Sequence, residues 1–179
     1  MTILTDIMDT PLGEMRIGVD PNTDTLVMLD FHDRKSIDRL FQQRISVLGE
    51  AIPGNHPLID TTKQQLTEYF DGQRMEFDLP LQFIGTDFQK KVWHELTTIP
   101  YGTTRSYGEM AVKMNKPVGS SRAIGTANGK NIIAIVVPCH RVIGADGSLV
   151  GYGGGMHRKK KLLEHETKFS NQSSLEEYF

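Results

Sequence analysis

The chain has 179 residues, with 20 Lys+Arg against 22 Asp+Glu and a formal net charge of −2; hydrophobic residues make up 38% and charged residues 23%. That supports one or two domains with a real core and excludes wholesale disorder, collagen-like repeats and a membrane helix: the longest apolar run, Ile132 to Pro138, is far below the roughly 20 residues a span needs. One Cys rules out an intrachain disulfide and a Cys-rich zinc site, and Met1-Thr2-Ile3-Leu4-Thr5-Asp6 lacks the basic region of a secretory signal, so a reduced, cytoplasmic protein is expected.

The elements read as follows in chain order. Met15, Ile17 and Val19 alternate with polar residues, Pro21-Asn22-Thr23-Asp24 is a turn, and Thr25 to Phe31 is rich in strand formers, so a hairpin is predicted. Arg34 to Leu48 places Ile37, Leu40, Phe41, Ile45 and Leu48 at helical spacing. Pro53-Gly54-Asn55 breaks that pattern, and Pro57 to Phe70 is a second helix with Leu58, Leu66, Tyr69 and Phe70 inward, ended by Gly72. Met75 to Leu81 is a candidate strand. His32 and His56 sit in loop-like contexts without metal partners, and no catalytic constellation is visible in this part.

After Gly85-Thr86-Asp87, the stripe Phe88, Val92, Trp93, Leu96 is helical and stops at Ile99-Pro100, with Trp93 read as core. Ser106-Tyr107-Gly108-Glu109 is a capping box for a short helix to about Met114. After the turn Asn115 to Gly119, Ser120 or Ser121 starts another short helix, with Ala123, Ile124 and Ala127 inward, ending near Asn128-Gly129. Two short helices across such a turn fit a helix-turn-helix as well as an ordinary helical hairpin. A buried segment, Ile132 to Val137, then delivers Pro138-Cys139-His140-Arg141-Val142. A turn at Asp146-Gly147, a flexible loop Gly151 to Gly155 and a helix from about His157 to Glu166 follow, and Thr167 to Phe179 is expected to be a frayed polar tail. The fold class is therefore α/β (α+β): a small N-terminal α+β domain over residues 1–85, a mainly helical domain over 86–166, and a tail over 167–179.

The net charge conceals a division. Residues 1–85 hold 7 Lys+Arg and 14 Asp+Glu, a net −7, whereas residues 86–166 hold 12 and 6, a net +6. A basic half joined to an acidic half points toward nucleic acid, although chance clustering on two solvated faces gives the same sums.

The lone cysteine has two readings. It is either an inert buried thiol or a nucleophile, and a nucleophilic thiol needs a partner that accepts its proton or stabilises its anion. His140 is adjacent, but neighbours on an extended backbone point to opposite sides, so contact needs a turn or a bridging water. Glu166 and His165 lie on a helix that could fold back, and a carboxylate on His140 would fix its tautomer and stabilise its charged form, giving a Cys, His, Glu relay like that of cysteine hydrolases. The loop Gly151 to Gly155 lacks a nucleotide-binding pattern and suits a lid with Tyr152 on it. The run Arg158-Lys159-Lys160-Lys161 is either a solvated face or a phosphate contact.

Pro138-Cys139-His140-Arg141-Val142 resembles the acceptor-site signature of the O6-alkylguanine-DNA alkyltransferases, also called methylated-DNA–protein-cysteine methyltransferases. Phe88-Gln89-x-x-Val92-Trp93, Tyr107-Gly108-Glu109, Arg122-Ala123-Ile124-Gly125, Asn128-Gly129-x-Asn131, Gly151-Tyr152-x-Gly154-Gly155 and Leu162-Leu163-x-His165-Glu166 resemble that family in order and spacing. The likeness spans roughly residues 86–166 and reaches the N-terminal half only through Thr10-Pro11-Leu12-Gly13. Two departures stand out: Ile132 where many relatives have Pro, and Ser120-Ser121 where small Ala residues are usual.

The resemblance implies direct repair. An O6-alkylated guanine is flipped out of duplex DNA through its minor groove, and its alkyl group moves once, irreversibly, onto Cys139. It implies that His140 takes the thiol proton through a water, Glu166 polarises His140, Tyr107 protonates N3 of the leaving guanine, and Asn131 braces the active-site turn. Arg122 would fill the gap left by the base, with Ser120, Ser121, Asn128 and Tyr107 also at the DNA. Val142 (through its carbonyl), Tyr152, Gly153 and Lys159 would face the substrate base. The same resemblance implies no metal or other cofactor, a monomer, and activity on O4-alkylthymine as an open extension. The rival readings are a lesion binder that does not repair, which the acceptor Cys139 argues against, and a cysteine hydrolase, in which Arg122 has no role.

Overall fold

The computed structural model describes residues 2–176. The chain divides into two compact units: residues 2–86 with Ile132–Ala134, and residues 87–131 with 135–176.

The first unit is built on a four-stranded sheet of β1 (Thr2–Thr10), β2 (Gly13–Asp20), β3 (Thr25–Phe31) and β4 (Glu50–Pro53), in the order β3-β2-β1-β4. The β1/β2 and β2/β3 pairs are antiparallel and the β1/β4 pair is parallel. The predicted hairpin is β2–β3: Met15, Ile17 and Val19 are fully buried, and Asp20 Oδ1 accepts from the Asn22 backbone N–H at 2.9 Å to close the turn. Two helices pack on this sheet, α1 (Ile37–Leu48) against β1, β3 and β4, and α2 (Pro57–Phe70) against β1 and β2. Pro57 at the first helical position and the His56 ring, whose Nδ1 accepts from the Leu58 N–H at 3.1 Å, begin α2.

Two expectations are corrected here, and two strands are added. The segment Met75 to Leu81 is no strand; only Leu81 forms a bridge, to Leu26. The Gln65 side chain takes both backbone groups of Asp78 (Asp78 N–H to Gln65 Oε1 2.9 Å, Gln65 Nε2–H to the Asp78 carbonyl 3.0 Å), and Pro80 has no N–H to offer a ladder. The inner strand β1 and the edge strand β4 are not among the predicted elements, because partly exposed faces blur their alternation. Finally, Ile132–Ala134 belongs to this unit: Leu29 N–H donates to the Ile132 carbonyl at 2.8 Å and Ala134 N–H to the Leu29 carbonyl at 2.7 Å. Ile132 joins Ile3, Val27, Met28, Ile37, Leu40, Phe41 and Leu48 in one core cluster.

The second unit contains α3 (Asp87–Leu96), β5 (Arg105–Ser106), α4 (Tyr107–Lys113), α5 (Ser121–Asn128), β6 (Val142–Ile143) and α6 (Met156–Glu176), with tight 3-10 turns at Val118–Ser120 and Cys139–Arg141. Val92, Trp93 and Leu96 are buried, and the Trp93 indole N–H donates to the Ala127 carbonyl at 2.9 Å, a core role. The capping box is complete: Glu109 N–H donates to Ser106 Oγ and Ser106 N–H to Glu109 Oε2, each at 3.1 Å. Helix α5 packs on α3 and α4, so the two short helices form a helix-turn-helix pair. Its inward residues are Ile124, Ala127 and Asn128; Ala123 is exposed, one position off the predicted stripe. The tail is also corrected: α6 runs unbroken from Met156 to Glu176, while 177–179 lie outside the described residues. No described helix is long and apolar enough to cross a membrane.

Candidate active site

The segment that carries the cysteine is held by its own backbone. Asn131, itself buried, donates Nδ2–H to the Val137 carbonyl at 3.1 Å, and the Cys139 N–H donates to that same carbonyl at 2.8 Å. Between them Ile135 has φ of +71° while buried to 1% exposure. A β-branched residue rarely adopts that conformation, so this turn stores strain that its surroundings must hold. The Arg141 N–H then donates to the Pro138 carbonyl at 3.0 Å and closes the 3-10 turn Cys139–Arg141. Cys139 and His140 therefore lie on a turn, not on extended backbone, which removes the objection that neighbours must face apart.

Glu166, fully buried on α6, is the centre of the polar network. Its Oε1 accepts from His140 Nε2 at 2.8 Å. Arg141 donates Nε–H to Oε1 and Oε2 at 3.1 and 3.0 Å and Nη2–H to Oε1 at 2.6 Å, while its Nη1–H reaches the Ile99 carbonyl at 2.7 Å. The guanidinium also lies over the Tyr101 ring, 5.7 Å from its centroid. Burial pushes the Glu166 carboxyl up, but the His140 and Arg141 N–H groups converging on it prevail and bring its pKa down to about 2. Burial lowers the His140 pKa, against the pull of Glu166 and with help from the Arg141 and Lys159 charges.

These shifts fix a tautomer. An ionised Glu166 can only accept, so neutral His140 carries its proton on Nε2 and leaves Nδ1 as a lone pair. That Nδ1 is buried with no protein hydrogen-bond partner. The arrangement can take one proton at Nδ1.

Tyr107 opens α4 and is half-buried. Burial raises its hydroxyl pKa, Asn128 opposes, and charge at Cys139 raises it further, so the phenol stays protonated. Asn128 is buried and donates Nδ2–H to the Cys139 carbonyl at 3.4 Å. It faces the cysteine and Tyr107, and its buried side chain bonds the turn that carries Cys139. Arg122 is exposed on α5. Ser120 and Ser121 are half-buried; neither caps the helix, since Ser121 Oγ–H donates to the Val118 carbonyl at 2.7 Å and Ser120 makes no cap bond.

The basic run after the glycine loop does not all face solvent. Lys159 is fully buried on the first turn of α6, and its Nζ donates to the carbonyls of Val142, Val150 and Gly151 at 2.5, 2.9 and 3.1 Å. This corrects both readings of that residue as a phosphate contact or part of a solvated face, and it occupies one lone pair of the Val142 carbonyl expected at the guanine. Tyr152 is half-buried and Gly153 exposed on the loop. Arg141 and Tyr101 carried no assigned role in the sequence reading; the signal available was Arg141's place inside the cysteine signature.

Family models match both parts of the chain. Residues 87–168 match the family model described as 6-O-methylguanine DNA methyltransferase, DNA binding domain, and residues 3–83 match its ribonuclease-like domain. A methylated-DNA–protein-cysteine methyltransferase of Mycolicibacterium paratuberculosis is 57% identical over 167 residues, 93% of each chain. That of Mycobacterium tuberculosis is 62% identical over 102 residues; this alignment spans 57% of the present chain and 61% of the relative. The crystal structure of Mycobacterium tuberculosis OGT in complex with DNA superposes with a TM-score of 0.77 at 42% identity, covering 94% of both chains. A hyperthermophilic archaeal O6-methylguanine-DNA methyltransferase, from Pyrococcus kodakaraensis, gives 0.62 at 27% identity, covering 92% of this chain and 98% of that one. With a full-length relative at 57% identity and both domain models matched in order, the chain belongs to the O6-methylguanine-DNA methyltransferase family, the methylated-DNA–protein-cysteine methyltransferases.

Proposed function

We propose that this protein repairs DNA by moving the alkyl group of O6-alkylguanine onto Cys139 in a single, irreversible turnover. The observation that carries the reading is the relay itself. Cys139 and His140 share one tight turn, and neutral His140, pinned through Nε2 by ionised Glu166, keeps a buried, unpartnered Nδ1 as its proton acceptor.

The Cys139 proton passes through a bridging water to His140 Nδ1, and the sulfur attacks the alkyl carbon in line with the bond to O6. The carbon–oxygen bond breaks, its electron pair stays with the guanine, and the Tyr107 hydroxyl supplies a proton at N3. The raised pKa of Tyr107 keeps that proton available. The product is a thioether, which water does not readily cleave, so the protein is consumed stoichiometrically.

Asn131 and Asn128 hold the turn from its two ends, at the Val137 and Cys139 carbonyls. Exposed Arg122 enters the stack in place of the extruded base, with Ser120 and Ser121 beside it at the phosphates, and offsets part of a flipping cost of a few kcal/mol. The second lone pair of the Val142 carbonyl accepts from the guanine amino group, with Tyr152 and Gly153 over the base. Binding is through the minor groove, as a monomer, with little sequence reading. The DNA-bound crystal structure of the Mycobacterium tuberculosis relative supports a DNA partner.

Intact-protein mass spectrometry after mixing with an O6-methylguanine duplex tests this. The expected result is a gain of one methyl group on Cys139, absent in Cys139→Ser. Binding without mass gain would favour a lesion binder, and many turnovers per protein would exclude the single-use mechanism.

A further inference from the structure

A lysine buried to full occlusion needs a reason, and Lys159 has no carboxylate beside it. Its ammonium has three N–H donors, and all are spent on backbone carbonyls: Val142, Val150 and Gly151. Val142 directly follows the Cys139–Arg141 turn, and Val150 and Gly151 are the entry to the glycine loop. The loop leaves from Gly151 and ends at Gly155 with φ of +58° and +97°, conformations that glycine adopts freely. Its far end is tied separately, by Arg158 Nη1–H to the Gly154 carbonyl at 3.1 Å.

We propose that Lys159 is a latch, a positioning residue whose ammonium clips the entry of the 151–155 loop to the strand that follows the acceptor cysteine. The same ammonium couples electrostatically to Cys139 and His140, so the clip and the reacting turn share one charge. Burial brings the Lys159 pKa down to about 8 while the Cys139 charge opposes the fall, leaving the ammonium form, the only one with three donors, predominant at neutral pH.

The latch makes two claims that separate it from a merely structural lysine. Its removal loosens one loop and not the unit, and it acts after DNA is bound. Only the second rests on the alkyl-transfer reading.

The first test uses the unmodified protein. Amine labelling with an acylating reagent, read by peptide mass spectrometry, is expected to modify Lys160, which is exposed, and Lys161 at least about 10-fold faster than Lys159, because labelling Lys159 requires the latch to open. Equal rates for the three would overturn the proposal, whatever the variants do.

The second test is hydrogen exchange on Lys159→Met, which keeps the stem and removes the donors. Exchange at 150–155 should rise about 10- to 100-fold, the effect of losing one or two charge-assisted hydrogen bonds, with α3 and α5 unchanged. Unchanged loop exchange, or a uniform rise across the unit, would overturn it. In single-turnover assays on methylated duplex, the maximal rate should fall about 10-fold with the half-saturating DNA concentration unchanged, whereas weaker DNA binding at an unchanged maximal rate would overturn the latch. If the wild-type protein gains no alkyl group, the alkyl-transfer reading fails, and the labelling and exchange results still decide the latch.

Discussion

Arg141 lays two of its nitrogens along the carboxylate of Glu166, with contacts from 2.6 to 3.1 Å, in a site where both side chains are buried. Burial is what chiefly keeps His140 neutral, and the guanidinium adds to it. Unscreened, a buried carboxylate would draw a proton onto the imidazole and fill the lone pair on Nδ1. Burial opposes that transfer most strongly, and Arg141, holding Glu166 as the anion of a neutralised pair, lowers the His140 pKa further.

Arg141→Met removes one partner of that pair. The unfolding free energy should fall by about 3–5 kcal/mol, the cost of an uncompensated buried charge. Because Arg141 lowers the His140 pKa, its loss should also move the acid limb of the transfer rate to higher pH. Chemical denaturation and a pH–rate profile check the two effects, and an acid limb that stays in place would contradict the role given to Arg141.

Glu166 makes stability depend on acid. Its folded pKa of about 2 lies below the ordinary value of 4.5, so its contribution is present above the ordinary value and is lost as pH falls through about 2. The shift corresponds to about 3 kcal/mol. Thermal unfolding of the wild type should lose this increment between those two pH values, and Glu166→Gln should flatten that part of the curve.

Tyr107→Phe should leave stability within about 0.5 kcal/mol while slowing alkyl transfer by about 100-fold, the usual worth of a positioned proton donor. Thermal unfolding and rapid-quench kinetics separate these effects. A rate within twofold of wild type would remove Tyr107 from the chemistry.

Arg122 is exposed, so Arg122→Ala should change stability by less than about 0.5 kcal/mol. Transfer from duplex DNA should slow by about 10-fold or more, whereas reaction with free O6-benzylguanine, which needs no flipping, should be unaffected. An equal loss on both substrates would mean that Arg122 acts on the cysteine and not on the duplex.

The sequence made some of this plain and concealed the rest for physical reasons. The hairpin, α2 and the Ser106–Glu109 box were readable because turn chemistry and capping act within a few residues. Met75–Leu81 misled because its backbone is satisfied by the Gln65 side chain, a partner that no local pattern announces. At the site, Cys139, His140 and Glu166 could be named from the signature and the helix that follows it. The turn that reconciles Cys139 with His140 depends on Pro138 and on φ angles that periodicity does not encode. The burial of Lys159 was hidden because a run of four basic residues conceals which one the helix turns inward, and that of Asn128 because the inner face of α5 is set by packing on α3 and α4.

Residues Ile132–Ala134 complete the first unit as neighbours of Leu29, roughly a hundred positions earlier in the chain. Closing so long a span costs entropy before any contact rewards it, which places this step late in folding. During synthesis the first unit must wait for those three residues to leave the ribosome before its core closes, and Cys139 emerges only a few residues behind them. The first unit is therefore not finished before Cys139 has been made.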